Sequence, residues 1–197
     1  MDKIEQEKIL GQPTEKFATD GLTLEEDKTL TGLLSKWKGG RISTLVFTEL
    51  ARIIPQPIVE VVIFRNNDKT LETLLIPRPE GDPVWPGMLH TPGVALRVSD
   101  FNENNPLDGP FGRIQRNELN NKFAYTPVFV RCLNRSTQRG PEVVQVHFTE
   151  LSEPDQKNYV WSSIDELAQK RNFIQHQLEH VNLAAEQYRK RVNIDQF

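Results

Sequence analysis

The chain has 197 residues, 37% of them hydrophobic and 26% charged, with a formal net charge of −3 and a single cysteine. That length and balance suit one well-buried domain with a short appended segment, and they exclude wholesale disorder. They also argue against an internal disulfide, a thiolate metal site and the broad basic surface that nucleic-acid binding usually needs.

Residues 1–22 are polar, carry Gly11, Pro13 and Gly21, and read as a loose arm. Their start, Met1–Lys8, has no apolar core for a signal peptide. Leu24, Leu30, Leu33 and Leu34 predict a short helix within Leu22–Trp37 that stops at Gly39-Gly40. Ser43 is placed to cap a second helix, with Val46, Phe47, Leu50, Ile53 and Ile54 on its apolar side and Pro55 closing it. Ile58–Phe64 is rich in β-branched residues, and Leu71–Pro77 pairs with it as a hairpin across Asn66-Asn67-Asp68. A loop at Pro79–Pro83 precedes Val84–Gly93, and Ala95–Val98 is a short strand. A polar excursion over 99–110 leads to a helix over Phe111–Phe123. Tyr125–Leu133 and Val143–Thr149 are strands joined by the polar loop Asn134–Glu142. Cys132, in the first of them, reads as a buried inert thiol. Ser163 is expected to cap Ile164–Leu167, with Glu166 completing a capping box. The clearest helix comes last: Ile174, Leu178, Val181, Ala185, Tyr188 and Val192 step by threes and fours along one stripe. No apolar run approaches the ~20 residues of a membrane span, so a soluble, cytoplasmic protein is expected. The pattern predicts an α+β sandwich with a mixed sheet.

Four stretches carry a resemblance. Val59–Phe64, Leu74–Arg78 and Asp82-Pro-Val-Trp-Pro-Gly-Met-Leu-His-Thr-Pro-Gly93 resemble the opening strands and Pro-Gly approach of Nudix hydrolases, and Tyr159–Leu167 followed by a long helix is similar to that family's ending. The resemblance spans about Pro57–Lys190. It implies a Nudix-like α/β/α sandwich over 57–197, preceded over 1–56 by the arm and a small helical extension. Members hydrolyse nucleoside diphosphates linked to another moiety, using a divalent metal held by the box Gly-x5-Glu-x7-Arg-Glu-U-x-Glu-Glu-x-Gly-U, where U is aliphatic. Carboxylates one helical turn apart converge on the hard octahedral ion, which neutralises the diphosphate and helps activate water.

This chain departs from that box. Val94 stands at its first Gly and Asp100 at its first Glu, and about eight extra residues separate Asp100 from the helix. With Glu118-Leu119 on the Glu-U pair, Asn117 replaces Arg, and Asn121 and Lys122 replace the paired glutamates; a shift by one puts Asn120 and Asn121 there. Either register leaves the metal position without a carboxylate. Asparagine brings no charge to a dication, and lysine repels it. Glu118 and Lys122, four apart on a helix, are spaced to pair, with the ammonium in the space of the metal or as an ordinary exposed salt bridge.

Other residues carry candidate chemistry. His176-Gln-Leu-Glu-His180 matches the inverted zinc-protease pattern, but both histidines are expected on the solvated face away from the apolar stripe. Arg113 joins Arg78 and Arg97 as a bidentate phosphate donor, and the basic run Tyr188–Arg191 complements a helix C-terminus. Glycine-rich phosphate loops are absent.

The expected sites are Glu118 and Asp100 as catalytic acids and Arg78, Trp85, His90 and Arg97 as ligand contacts, with no metal ligand assigned. The resemblance points to a protein that binds a nucleotide-like small molecule or a protein partner with little or no metal-dependent hydrolysis, and no cofactor is expected. Mg²⁺ enters only in the alternative, a hydrolase with a displaced metal site drawn from Asp100, Glu103, Asp108, Glu118 and Glu142. A third reading is an interaction module unrelated to nucleotides. A second copy of the chain, forming a homodimer, is a candidate partner; nucleic acid and membrane are not.

Overall fold

The computed structural model describes residues 21–37, 43–102, 105–153 and 159–194. Residues 1–20 of the expected arm, the Gly39-Gly40 helix stop and Glu103 lie outside them. The chain divides into two compact units, residues 1–39 and 40–197. In the first, helix α1 (Leu24–Leu34) begins at a reciprocal capping box: Thr23 accepts from the Glu26 N–H, and the Glu26 carboxylate accepts from the Thr23 N–H at 2.8 Å. Glu25, Glu26 and Asp27 then occupy its first turn, where the helix dipole favours acids.

In the second unit, helix α2 (Thr44–Ile53) starts at Ser43, whose side chain accepts from the Val46 N–H as expected. The β-branched run forms β1 (Gln56–Asn67), and a tight turn with Asp68 and Lys69 at φ 45° and 76° returns it as β2 (Thr70–Pro77). Positive φ at both central residues matches the right-handed twist of a two-residue hairpin. Strand β1 is central. It runs antiparallel to β2 over Phe64–Asn67 and to the short β4 (Gly93–Ala95) over Ile58–Glu60. Over Gln56–Ile63 it runs parallel to β6 (Gly140–Thr149). β3 (Leu89–His90) and β7 (Val160–Ser163) pair with β2, and β5 (Val128–Thr137) pairs with β6. The result is a mixed seven-stranded sheet.

Side-chain alternation along β1 sorts two cores. Val59, Val61 and Ile63 pack with Leu74, Phe111, Ile114 and Leu119, beneath α3 (Asp108–Arg113) and the π-helical turn Ile114–Leu119 that continues it. Val62 and Phe64 pack on the other face with Phe148, Val181, Ala185 and Tyr188, beneath α4 (Leu178–Ile194). This is an α/β/α sandwich with a mixed sheet. By the same parity, Glu60 faces the α4 layer with Val62 and Phe64.

Several local expectations are corrected. The strand expected at Ala95–Val98 begins at Gly93 and ends at Ala95, because Val98–Asn102 coils into a 3-10 helix whose Asp100 accepts from the Arg97 N–H at 2.7 Å. Strands β5 and β6 extend through the expected loop to a two-residue turn, with Thr137 opposite Gly140. Asn134 and Ser136 are polar because they lie exposed on an edge strand. Cys132 is exposed, since a bulge between Phe129 and Arg131 breaks the alternation and leaves Arg131 and Cys132 both outward. Ser163 makes no side-chain cap, and Ile164–Gln169 is a 3-10 helix. No described helix is long and apolar enough to cross a membrane.

Candidate functional site

A cavity of about 480 Å³ opens in the second unit. Arg78, Trp85, His90, Arg97 and Glu118 all line it, together with Glu60, Thr91, Arg139, Glu142, His176 and Gln177. Asp100 does not. Its carboxylate, 2% exposed, is held by the Arg113 guanidinium, which also donates to the Ala95 carbonyl at 2.8 Å. Asp100, expected as a catalytic acid, thus lies off the cavity lining, and Arg113 pairs with it rather than reaching the cavity.

One wall is folded by Asp82. Its Oδ1 accepts from the backbone N–H groups of Val84 and Trp85 at 3.0 and 2.9 Å, and its Oδ2 accepts from Arg78 Nε at 2.7 Å. Burial raises the Asp82 carboxyl, but these donors outweigh it and hold it below the usual range. Trp85, 7% exposed, is packed against the His176 ring at 5.2 Å, and the Arg139 guanidinium lies 5.1 Å over its indole. Arg139 is oriented in turn by Glu142, which accepts from its Nε and Nη2 at 3.1 and 2.9 Å. Arg78 and Arg139 are thus each fixed along one edge by a carboxylate, with guanidinium N–H groups to spare.

The floor is a buried polar network. Glu60 Oε1 accepts from Thr91 Oγ1 and lies against His180 Nδ1, both at 2.6 Å; Gln177 Nε2 donates to Oε2 at 3.1 Å while its own Oε1 accepts from the Thr91 N–H. Burial pushes the Glu60 carboxyl up, but His180 and Thr91 together hold it below its ordinary value. His180 is 1% exposed, which corrects the solvent-facing placement. The apolar stripe of α4 is wider than one row, and a buried carboxylate gives this imidazole a partner. His176 also turns inward, to the cavity. His90 is driven down to about 4, first by burial and then by the Arg78 charge, and is a neutral ring at physiological pH.

Glu118 comes from the π-helical turn, and its Oε2 accepts from the Gly93 N–H at 3.0 Å. A Cβ at Gly93 would sit 3.2 Å from the Val59 carbonyl oxygen, so the glycine lets β4 lie close against β1. Burial pushes the Glu118 carboxyl up to about 7, against the Gly93 N–H and Arg78. π turns of this kind recur at functional sites.

No protein-family model and no curated protein matches the sequence. Its structure is similar to that of a MutT/Nudix family protein from Listeria innocua, with TM-score 0.53 and 14% identity over 71% of this chain and 98% of that one. It is also similar to Shewanella oneidensis NrtR complexed with a 27mer DNA, with TM-score 0.51 and 15% identity over 66% of this chain and 61% of that one. The NUDIX domain of the same NrtR, complexed with ADP ribose, aligns with TM-score 0.50 and 16% identity over 85% of this chain and 99% of that domain. The chain has the Nudix fold. It spans about three-fifths of the NrtR chain bound to DNA, and since a protein of this fold is complexed with DNA, net charge alone does not exclude nucleic acid as a partner.

A Nudix fold implies a divalent metal, and the donors among the described residues do not fit one. Among the described residues no three His, Cys, Asp or Glu side chains are grouped to hold an ion. Glu60 is engaged by three donors, Glu142 by Arg139 and Asp100 by Arg113. Among the described residues, Glu118 is the cavity carboxylate that no side chain engages by a hydrogen bond or ion pair, its Oε2 accepting from the Gly93 N–H. Lys122 does not fill a metal position either: the helix ends at Leu119, Asn120 takes a left-handed φ of 49°, and Lys122 is exposed with no ion pair to Glu118. The i, i+4 pairing presupposes helix where the chain has already turned away.

Sequence reasoning missed Glu60, Thr91, Arg139 and Gln177, and it placed His176 on the solvated face instead of in the cavity. Glu60 carried a signal, a lone acid within the apolar run Ile58–Phe64, where a charge stays only if it is paired. Arg139 and Gln177 carried none, because the hairpin turn and the helix entry meet only in the folded chain.

Proposed function

We propose that the cavity binds a nucleotide-like, phosphate-bearing ligand and that the protein performs little or no metal-dependent hydrolysis. The observation that carries this reading is that Arg78, Arg97 and Arg139 line one cavity whose acids, Glu118 excepted, are already engaged. Guanidinium groups supply to a diphosphate the positive charge a metal otherwise brings, in a fork that matches phosphate oxygens. The ADP ribose held by the NUDIX domain of NrtR makes that compound the first probe.

The test is calorimetric titration of ADP-ribose, nucleotide sugars and dinucleotides in EDTA, then in Mg²⁺ or Mn²⁺, with product analysis by chromatography. Binding in EDTA without turnover is the expected result. The second reading, a hydrolase with a displaced metal site, is favoured by one observation: Glu118 is a cavity carboxylate poised to take a proton near neutrality. Metal-dependent turnover that collapses in Glu118→Gln would overturn the first reading in favour of the second.

A further inference from the structure

The charges of the cavity are graded with depth. Glu60, at the floor, is 3% exposed, Arg78 and Arg139 are half-buried, and Arg97 is exposed. A carboxylate offers about four acceptor positions, two on each oxygen. On Glu60, Oε1 is filled by Thr91 Oγ1 and the His180 Nδ1–H, whereas among the described residues Oε2 receives only Gln177 Nε2. One acceptor position is left on a buried carboxylate that lines the cavity.

Building on the ligand-binding reading above, we infer that Glu60 Oε2 accepts a hydrogen bond from an O–H or N–H group on the uncharged end of the ligand, which enters first and leaves its phosphates at the arginine-lined mouth. The reverse orientation sets phosphate oxygens against a buried carboxylate, where low dielectric strengthens the repulsion. A ligand end without a donor leaves that acceptor dry and unpaired. Thr91, His180 and Gln177 are positioning residues in this arrangement: they fix the carboxylate and use its other acceptor positions. The burial cost that raises the Glu60 carboxyl is outweighed first by His180 and then by Thr91, consistent with a permanent acceptor.

The experiment compares Glu60→Gln with the unaltered chain for ADP-ribose and for inorganic pyrophosphate, both in EDTA. An amide turned to the cavity presents N–H groups where the ligand also presents them. ADP-ribose affinity is expected to fall about tenfold to a hundredfold, the range for a lost hydrogen bond to a charged group, while pyrophosphate affinity stays within about twofold. Equal losses for both probes, or no loss for either, overturn the inference and leave the ligand-binding reading standing. Failure of every phosphate-bearing probe to bind the unaltered chain overturns both. Should Glu60→Gln not fold, the unaltered chain is titrated with ADP, its 2′,3′-dideoxy analogue and purine riboside diphosphate, which lacks the exocyclic amine and keeps N1 as an acceptor. A loss of about tenfold for at least one donor-deleted analogue supports the inference; equal affinities for all three overturn it.

Discussion

Asp100 and Glu118 flank the same helical segment yet have opposite environments. Asp100 is buried against Arg113, so removing its charge strands a guanidinium that is 9% exposed. Asp100→Asn is expected to cost about 3–5 kcal/mol in a urea melt, and a loss under about 1 kcal/mol would show that the pair is not what anchors the 98–102 turn. Glu118 and His90 predict the pH profile. The folded Glu118 value of about 7 lies above 4.5, so its contribution is full below pH 4.5 and is lost as pH rises through 7. His90, at about 4 against 6.5, contributes above pH 6.5 and loses that contribution as pH falls towards 4. The two slopes oppose each other. Glu118→Gln should therefore steepen the fall in melting temperature on acidification and gain about 1 kcal/mol at pH 8, and His90→Asn should flatten the fall. Parallel melting curves for parent and both variants would sink that assignment.

Among the elements, the β1–β2 hairpin was legible because β-branched strands flank the Asn66-Asn67-Asp68 stretch, but its turn falls one step later, on Asp68 and Lys69, with Asn66 and Asn67 still paired in β1. The β5–β6 hairpin was legible as a pair but not in extent, since polarity on an edge strand marks solvent and not a loop. Its turn matters to the cavity because it delivers Arg139. Gly140, at φ 135°, is forced by packing: a Cβ there would meet the Ala51 carbonyl oxygen of α2 at 1.9 Å. Gly140→Ala should lose about 2–4 kcal/mol in thermal or denaturant unfolding, whereas Gly81→Ala, which meets nothing within 4 Å, should stay within about 0.5 kcal/mol. Equal melting of the two variants would contradict the α2–β6 contact. The π-helical turn was not legible: it changes the register read from an ideal helix, and it puts Glu118 on Gly93 while Lys122 falls beyond the helix end.

At the scale of the whole molecule, a sheet with helices on both faces leaves the cavity among the ends of several elements, and ligand binding there couples to global unfolding. ADP-ribose in EDTA, at about a hundred times its dissociation constant, should stabilise the chain by about 2.7 kcal/mol. Because arginines supply the attraction, the shift should shrink as salt is raised. A shift that needs Mg²⁺ would contradict metal-free binding, and no shift at any concentration would contradict ligand binding itself.

Strand alternation and the helix stripe are local periodicities, and through them the sequence determined the layered architecture; Arg78, Trp85, His90, Arg97 and Glu118, which the family resemblance pointed to, line the cavity. Side-chain pairing is non-local, and only the tertiary structure could decide it. The chain contacts that bring Arg113 to Asp100, His180 to Glu60 and Arg139 over Trp85 cross 13, 120 and 54 positions respectively, beyond the reach of any repeat in the sequence.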